Sequence, residues 1–244
     1  MSGLFITFEG IDGCGKSTQR DLLAEELERR GLDVLVTREP GGTAIGEDIR
    51  RILVSDASVH IAPTTELLLY VAARAQHVAE LIKPALDADR IVVSDRYTDS
   101  TVAFQGYGRG LDLEMIAVLN KLATADLKPD LTVVFDLDPA TARGRLGSRP
   151  IGGLLGAFDE QHSDFHKRMR QGYLKMARSE PSRIHVVDAS GAIEETYSKV
   201  LALVLPMLEE VRRAKSEVRS QEEVRSSESE VRSQESEARK PSNP

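Results

Sequence analysis

The sequence of 244 residues holds a single cysteine, Cys14, and no tryptophan. One cysteine excludes an internal disulfide and any zinc site built from several thiolates. No apolar run reaches the ~20 residues that a membrane-spanning helix needs. No secretory signal precedes the first apolar segment. These absences predict a cytoplasmic protein without a membrane partner.

The chain also lacks an excess of positive charge. Its 32 lysines and arginines are outnumbered by 39 aspartates and glutamates, which gives a formal net charge of -7. A general nucleic-acid-binding surface needs a basic balance, so we expect no nucleic acid as partner. An acidic total still allows a local group of arginines around a small anionic substrate.

One glycine-rich stretch near the N terminus carries the first chemical signal. Residues 10–17 read GIDGCGKS and fit G-x-x-x-x-G-K-[ST]. The stretch lies between a predicted buried strand, 4–8, and a predicted helix, 17–30. Glycines let backbone N–H groups turn inwards around a phosphate chain, towards which the helix N terminus also points. The pattern predicts nucleotide binding, with Lys16 at the β- and γ-phosphates and Ser17 on Mg²⁺. A glycine-rich turn without a ligand is the alternative.

Strand and helix patterns alternate along most of the chain. Further strands are predicted at 33–37, 90–94, 131–135 and 184–187, and further helices at 46–54, 64–86, 112–124, from 139, 159–178 and 192–212. This alternation predicts an α/β fold, a three-layer sandwich of about five parallel strands with helices on both faces. Right-handed crossovers would place the loops that begin at residues 10, 38, 95, 136 and 188 along one edge of the sheet.

Two segments depart from this alternation. The glycine-rich residues 147–158 have no apolar period, which favours a short flexible lid; a plain surface loop is the alternative. In residues 213–244 both charge signs alternate, and Glu-Val-Arg-Ser recurs at 217, 223 and 230. That composition predicts a charged low-complexity tail, as a helical extension or disordered, with a weak interaction segment as the alternative. The folded domain is then predicted to cover 1–212.

Arginines are frequent at the predicted functional edge. The candidates are Arg38, Arg50, Arg74, Arg96, Arg143, Arg145 and Arg149. Guanidinium groups bind phosphate oxygens bidentately, so several of them near a phosphate loop indicate a second phosphorylated substrate. The five histidines are scattered and form no nucleophile–base pair. Because the second pKa of a phosphate is about 6, an acceptor phosphate needs no strong base. The residues therefore favour phosphoryl transfer to a phosphate.

Three blocks of the sequence together resemble one family. Residues 8–18 read FEGIDGCGKST, residues 37–43 read TREPGGT, and residues 95–106 read DRYTDSTVAFQG. The chain is similar to thymidylate kinases from about residue 3 to residue 205. The resemblance implies the nucleoside monophosphate kinase fold. It also implies transfer of the γ-phosphoryl of ATP to dTMP for dTTP synthesis, with Mg²⁺, in a homodimer.

The resemblance also implies roles for single residues. The implied ATP-binding residues are Gly10, Ile11, Asp12, Gly13, Cys14, Gly15, Lys16, Ser17, Thr18 and Arg143. The implied catalytic residues are Lys16, Arg38, Asp95, Arg96 and Arg149. Asp95 would join Ser17 in the metal shell, and Arg143 would pack on adenine opposite the turn at 188–190.

The implied substrate-binding residues are Asp12, Arg38, Arg50, Tyr70, Arg74, Arg96, Thr101, Phe104 and Gln105. In the family pattern Asp12 holds the 3′-hydroxyl of the deoxyribose. Arg38, Arg50 and Arg96 hold the acceptor phosphate. Tyr70 would stack on thymine, Arg74 and Gln105 would read the base edge with Thr101 nearby, and Phe104 would crowd the ribose 2′ position.

One departure from the family concerns the lid. Bacterial relatives with glycine at the position of Gly13 usually carry an Asp-Arg-x-Glu motif, but residues 156–160 here read GAFDE. The missing arginine leads us to expect that Arg149, or Arg145, supplies the charge. Two alternatives remain at this point: a kinase for another pyrimidine monophosphate such as dUMP, and a catalytically weak nucleotide-binding regulatory protein.

Overall fold

Five strands form one parallel sheet in a computed structural model of the chain. The structure describes residues 3–54, 61–146 and 160–213, with residues 160–163 described by their backbone alone. The predicted lid at 147–158 and Arg149 lie outside these residues, as do residues 214–244 of the predicted tail.

The strand order explains the sequence pattern. The strands are β1 (Leu4–Glu9), β2 (Val34–Arg38), β3 (Ile91–Asp95), β4 (Leu131–Asp136) and β5 (Ile184–Asp188), in the order β2-β3-β1-β4-β5. The three central strands are buried almost throughout, as their continuous apolar runs predict, whereas the edge strands β2 and β5 are partly exposed. The predicted α/β class with five parallel strands is confirmed.

The register of the sheet aligns the residues that end the strands. Asp95 in β3 pairs with Arg38 in β2 on one side and with Phe8 in β1 on the other, and Asp136 in β4 pairs with Asp188 in β5. The carboxyl ends of all five strands therefore meet at one edge. The polar loops that follow them are brought together there.

Helices cover the sheet. They are α1 (Lys16–Arg29), α2 (Ala44–Leu53), α3 (Pro63–His77), α4 (Lys83–Asp87), α5 (Thr98–Thr101), α6 (Leu113–Thr124), α7 (Pro139–Leu146) and α8 (Glu160–Ser179). The single helix predicted over 64–86 is divided, because a π-helical segment, Val78–Ile82, separates α3 from α4. Pro84 has no N–H to donate and its ring crowds the preceding turn, which accounts for a wider turn at this point. A second π-helical segment, Val102–Gly108, follows α5.

By its internal contacts the chain divides into two units, Met1–Ala202 and Leu203–Pro244. Residues 193–202 of the first unit are helical, and so are residues 203–213 of the second. The domain limit at 212 and the nature of the tail remain predictions. In the described part of the chain no helix is long and apolar enough to cross a bilayer.

Candidate active site

The chain turns tightly between β1 and α1. Gly10, Gly13 and Gly15 have φ values of +136°, +86° and +96°, which residues with a side chain rarely adopt. A Cβ atom on Gly13 would lie 2.4 Å from the carbonyl oxygen of Ala142, so α7 packs directly on this loop. Gly15 is the N-cap of α1, and no side chain caps the helix. The first N–H groups of α1 are therefore open to an anion.

Lys16 lies inside the turn of this phosphate loop. Its Nζ donates to the carbonyl oxygens of Gly10 at 3.1 Å and Ile11 at 2.9 Å, and lies 4.0 Å from Asp12 Oδ1. Cys14 is buried beside it, and burial raises the pKa of its thiol. A phosphate chain held by the loop would meet a positive charge already in place.

Ser17 and Asp95 lie side by side at the mouth of the loop. The Ser17 hydroxyl donates to Asp95 Oδ2 at 2.6 Å, and Arg20 Nη1 lies 3.9 Å from the same oxygen. Mg²⁺ bound with nucleotide takes one or two protein oxygens besides phosphates and water, so this pair fits the ion. Over 3–54, 61–146 and 160–213, no group of three or more His, Cys, Asp and Glu side chains forms a cluster suited to a metal.

Arg96 follows Asp95 with a left-handed backbone, φ +75°. Its backbone N–H donates to Phe8 O at 2.9 Å, which ties it to β1. Its Nη2 donates to Asp12 Oδ1 at 2.6 Å and its Nη1 to Ser100 Oγ at 3.0 Å. Its Cζ lies 4.6 Å from the centroid of the Phe104 ring. The guanidinium is thus fixed in orientation beside the phosphate loop.

Asp12 and Arg96 also shift each other's pKa through their opposite charges. Burial acts to raise the pKa of Asp12, but Arg96 and then Lys16 outweigh it, and the pKa is lowered. Burial acts to lower the pKa of Arg96, but the nearby anions, Asp12 first, raise it well above its usual value. Both groups therefore stay charged at neutral pH.

Two further arginines reach the same place from β2 and α2. Arg38 Nη2 donates to both carboxylate oxygens of Glu47, at 2.9 and 3.0 Å, and Arg50 Nη1 donates to Pro40 O at 3.0 Å. The pKa of Glu47 is lowered, because the hydrogen bond from the backbone N–H of Gly42 and the charge of Arg38 outweigh burial, which acts to raise it. Both arginines are half-buried or exposed, so they can turn towards an anion.

These side chains line one cavity of about 820 Å³. The predicted residues around it include Asp12, Lys16, Arg38, Arg50, Asp95 and Arg96. The cavity extends from these arginines along the phosphate loop to the turn after β5, where Ala189 and Ile193 lie. It is large enough to bind small molecules and is bordered by cations along its length.

The aromatic candidates lie near the acceptor arginines. Tyr70 is half-buried in α3; burial first and Glu66 second raise the pKa of its hydroxyl, while the charges of Arg96 and Arg50 lower it. Tyr70 is therefore within electrostatic range of both arginines. Phe104 is buried, with its ring already under the Arg96 guanidinium.

Arg74 lies in the interior and is only 1% exposed. Nε and Nη2 are each 2.8 Å from Glu39 Oε2, and Nη2 also donates to Tyr97 O at 3.0 Å. Nη1 donates to Asn120 Oδ1 at 2.7 Å and to Thr101 Oγ1 at 3.0 Å. Four hydrogen bonds and the ion pair with Glu39 thus hold the guanidinium inside the protein, so a base edge would have to compete with these partners.

Gln105 is equally buried. Its Nε2 donates to Glu66 Oε1 at 2.7 Å, and the other oxygen of Glu66 accepts from Arg109 at 2.9 Å. Both Gln105 and Arg74 belong to interior polar networks. Their base-reading roles remain predictions.

On the donor side, Arg145 rather than Arg143 lines the cavity. Arg145 Nη2 donates to Ser190 O at 3.2 Å, in the turn after β5 that was expected to border the adenine. Arg143 is exposed on the same helix, α7. Residues two apart on a helix point in different directions, which accounts for Arg145 but not Arg143 among the residues that line the cavity.

Comparison with known proteins identifies the family. A family model described as thymidylate kinase matches residues 8–200. The chain belongs to the thymidylate kinase family. It is 50% identical over 212 residues to the thymidylate kinase of Geotalea uraniireducens (strain Rf4), an alignment that covers 85% of this chain and 99% of that one.

Two other similar proteins agree with this assignment. The thymidylate kinase of Pseudomonas putida (strain F1) is 47% identical over 212 residues, covering 87% of this chain and 100% of its own length. A crystal structure of thymidylate kinase from Ehrlichia chaffeensis has a TM-score of 0.69 at 35% identity, covering 83% of this chain and 98% of that chain. Thymidylate kinases are nucleoside monophosphate kinases, so the expectation drawn from the three sequence blocks is confirmed.

Sequence reasoning missed several residues of this candidate site. Arg20 and Glu39 line the cavity, and Glu9 and Tyr173 surround Arg96. Glu9 and Glu39 could have been found, because each is a carboxylate next to the end of a strand and within a family block. Nothing local in the sequence marks Tyr173, which reaches the site from α8.

Proposed function

We propose that this kinase transfers the γ-phosphoryl group of ATP to dTMP and so forms ADP and dTDP. The observation that carries the proposal is one cavity in which a phosphate loop with Lys16 faces three arginines, Arg38, Arg50 and Arg96. Two anionic substrates held end to end would place the acceptor phosphate against the γ-phosphate. We also propose that the enzyme acts in the cytoplasm, where its nucleotide substrates are present.

The phosphate loop and α1 hold the donor. Backbone N–H groups between Gly10 and Thr18 would bind the phosphates of ATP, with Lys16 on the β- and γ-phosphates. Ser17 and Asp95 would hold Mg²⁺, which supplies charge neutralisation when it is bound with the nucleotide. Arg145 and the turn at 188–190 would border the adenine.

The arginines hold the acceptor. Arg38, Arg50 and Arg96 would bind the phosphate of dTMP, and Asp12 would accept a hydrogen bond from the 3′-hydroxyl of the deoxyribose. An oxygen of that phosphate attacks the γ-phosphorus, and the bond from this phosphorus to the ADP oxygen breaks. The acceptor is already ionised, so alignment and charge neutralisation are the work of the protein.

The base and the sugar are assigned to residues of α3, α5 and the segment Val102–Gly108, which lie outside the lining of the cavity in this structure. Tyr70 would stack on thymine, and Phe104 would crowd the ribose 2′ position in favour of deoxynucleotides. Arg74 and Gln105 are the proposed readers of the base edge, with Thr101 nearby, and Arg74 would exchange one of its protein bonds for the base.

The role of the missing lid arginine is assigned to Arg149, with Arg145 as the second candidate. Arg145 already lies at the cavity, where it donates to Ser190 O. The variant Arg149→Ala should lower kcat while Arg143→Ala leaves it unchanged. An unchanged kcat in Arg149→Ala would contradict the assignment.

A homodimer is proposed from an exposed apolar stripe. Met115, Val118 and Leu122 lie on one side of α6 and are 36%, 68% and 77% exposed, and Leu68 on the neighbouring α3 is 50% exposed. A second copy would bury this surface. Light scattering should give the mass of a dimer for the wild type and of a monomer for Val118→Lys. Val186→Lys, at an exposed valine of β5, is the control.

A coupled assay for ADP tests the function. Parallel reactions contain dTMP, dUMP or no acceptor, each with Mg²⁺ or with a chelator. We expect turnover with dTMP that exceeds turnover with dUMP and disappears with the chelator. Faster turnover of dUMP would contradict the proposed substrate.

A further inference from the structure

Glu9 is a buried carboxylate at the end of β1 with an exposed fraction of 0%. Its Oε1 accepts from the backbone N–H groups of Tyr97 at 2.8 Å and Ser100 at 3.2 Å. Its Oε2 accepts from the Ser100 hydroxyl at 2.6 Å and from the Tyr173 hydroxyl at 2.9 Å. One oxygen therefore holds the backbone after β3, and the other holds two hydroxyl groups.

Both hydroxyl groups also face Arg96. Arg96 Nη1 donates to Ser100 Oγ at 3.0 Å and to Tyr173 OH at 3.5 Å, and the two hydroxyl oxygens are 3.1 Å apart. A hydroxyl has one hydrogen and two lone pairs. An ionised Glu9 carboxylate can only accept, so each hydroxyl then directs its hydrogen at Glu9 and leaves its lone pairs to the guanidinium.

We propose that Glu9 and Tyr173 are positioning residues that fix the Arg96 guanidinium for the acceptor phosphate. Glu9 orients the two hydroxyls, and the hydroxyls orient Nη1, while Asp12 holds Nη2. Tyr173 comes from α8, the helix that follows residues 147–158, so the position of α8 bears on the orientation of Arg96. The inference rests on the proposed role of Arg96 in binding that phosphate.

The orientation of Arg96 by these hydroxyls depends on the charge of Glu9. Burial first, and Asp99 of α5 second, raise its pKa to about 7, although Arg96 and the hydroxyls of Ser100 and Tyr173 act to lower it. Tyr173 itself stays neutral, because burial first and Glu9 second raise the pKa of its phenol. A protonated Glu9 has an O–H of its own, which would occupy a lone pair now directed at Arg96.

The variant Glu9→Gln tests the charge with little change in shape. The amide oxygen can still accept from the two backbone N–H groups, but the amide nitrogen must donate to the hydroxyls and would turn their hydrogens towards Arg96. We expect kcat to fall roughly 10-fold at pH 8, because a misplaced charge misaligns the phosphates. The KM for ATP should not change, since the side-chain hydrogen bonds of Glu9 go to Tyr97, Ser100 and Tyr173 and not to the phosphate loop.

The pH profile separates positioning from a structural role. The wild-type rate should rise with pH through about 7, and Glu9→Gln should lose this step. It should keep only the step from the acceptor phosphate near pH ~6. Glu26→Gln is the control, because Glu26 is also a buried glutamate but binds Arg29 and Arg30 on α1. Its profile should match the wild type.

Tyr173→Phe provides a second, independent test that keeps the ring. It should lower kcat several-fold at an unchanged KM for ATP, with Tyr197→Phe, which removes a hydroxyl bonded to Leu22 O, as the control. The double variant with Glu9→Gln should lose little more than Glu9→Gln alone, because both act through Arg96. Wild-type kcat in Tyr173→Phe, or a retained step near pH 7 in Glu9→Gln, would overturn the inference.

The same measurements distinguish this inference from the proposed function. All rates are measured with the pyrimidine monophosphate that the wild type turns over. An active wild type with unaffected variants overturns the positioning role alone. A wild type that phosphorylates no pyrimidine monophosphate overturns the proposed function and the positioning role together.

Discussion

The hydroxyl of Ser17 donates to the carboxylate of Asp95 at 2.6 Å. The two residues are 78 positions apart in the sequence, at the start of α1 and the end of β3. They meet because β1 and β3 are paired neighbours, with Phe8 opposite Asp95, so the loop after β1 passes over the end of β3.

Asp95→Asn should weaken the use of Mg²⁺. The amide keeps an acceptor for Ser17 but removes the negative charge that favours a divalent cation. We expect the Mg²⁺ concentration for half-maximal rate to rise about 10-fold, as for other changes around a metal site. A magnesium titration of the rate measures this, with Asp33→Asn, an exposed aspartate, as the control. An unshifted titration would exclude Asp95 from the metal shell.

Arg96→Ala should cost about 3 kcal/mol of transition-state stabilisation, roughly 100-fold in kcat, because it removes a preorganised charge. Its bonds to Asp12 and Ser100 are lost as well. Steady-state kinetics with varied dTMP measure the effect, and Arg30→Ala on the far end of α1 should behave as the wild type. Near-wild-type turnover would contradict the proposed role.

Arg145→Ala should raise the KM for ATP more than Arg143→Ala does. Arg145 lines the cavity and donates to Ser190 O, whereas Arg143 is not among the lining residues. The loss of one contact of this kind is worth roughly 1 kcal/mol, about fivefold in KM. Initial rates at saturating dTMP measure both variants. A larger effect in Arg143→Ala would support the ATP-binding role predicted for Arg143 instead.

Arg74→Ala should destabilise the fold by roughly 3–5 kcal/mol, because it leaves the Glu39 carboxylate buried without its main partner. Arg90→Ala removes a half-exposed ion pair with Asp33 and should cost less than about 1 kcal/mol. Urea denaturation of the two variants gives the comparison. Equal midpoints would mean that the buried pair contributes no more than the exposed one.

Stability should depend on pH through Glu9. Its folded pKa of about 7 exceeds the ordinary 4.5, so between these values the folded state holds a proton that the unfolded state has lost. The free energy of unfolding therefore falls as pH rises through this window, by about 3 kcal/mol for this group alone. Chemical denaturation from pH 4.5 to 8 should show this fall in the wild type and not in Glu9→Gln.

Glu26 should change the free energy of unfolding with pH in the opposite direction to Glu9. Hydrogen bonds from Arg30 and then Arg29 lower its pKa. Its contribution is present above the unfolded pKa and is lost as pH falls through the folded pKa. Glu26→Gln should therefore lose stability at neutral pH relative to acid. A variant that behaved like Glu9→Gln would show that the pH dependence does not come from Glu9.

Local signals determined the phosphate loop, the five strands and the family of this protein. Glycines at positive φ and a lysine at a fixed spacing act within one turn, and a buried parallel strand needs a continuous apolar run wherever it lies in the sheet. The helix predicted over 64–86 was divided because a proline acts on hydrogen bonds that an apolar period does not report.

Tertiary structure alone decided which charged side chains reach the cavity and which stay inside. Arg74 and Arg96 are both predicted at the functional edge of the sheet, yet Arg74 of α3 is bonded to Glu39 in the interior, whereas Arg96 beside the phosphate loop is bonded to Asp12. Arg143 and Arg145 differ only by their direction on α7, and Tyr173 joins Glu9 from 164 positions away. Such contacts depend on the register of strands and the packing of helices, which no local spacing encodes.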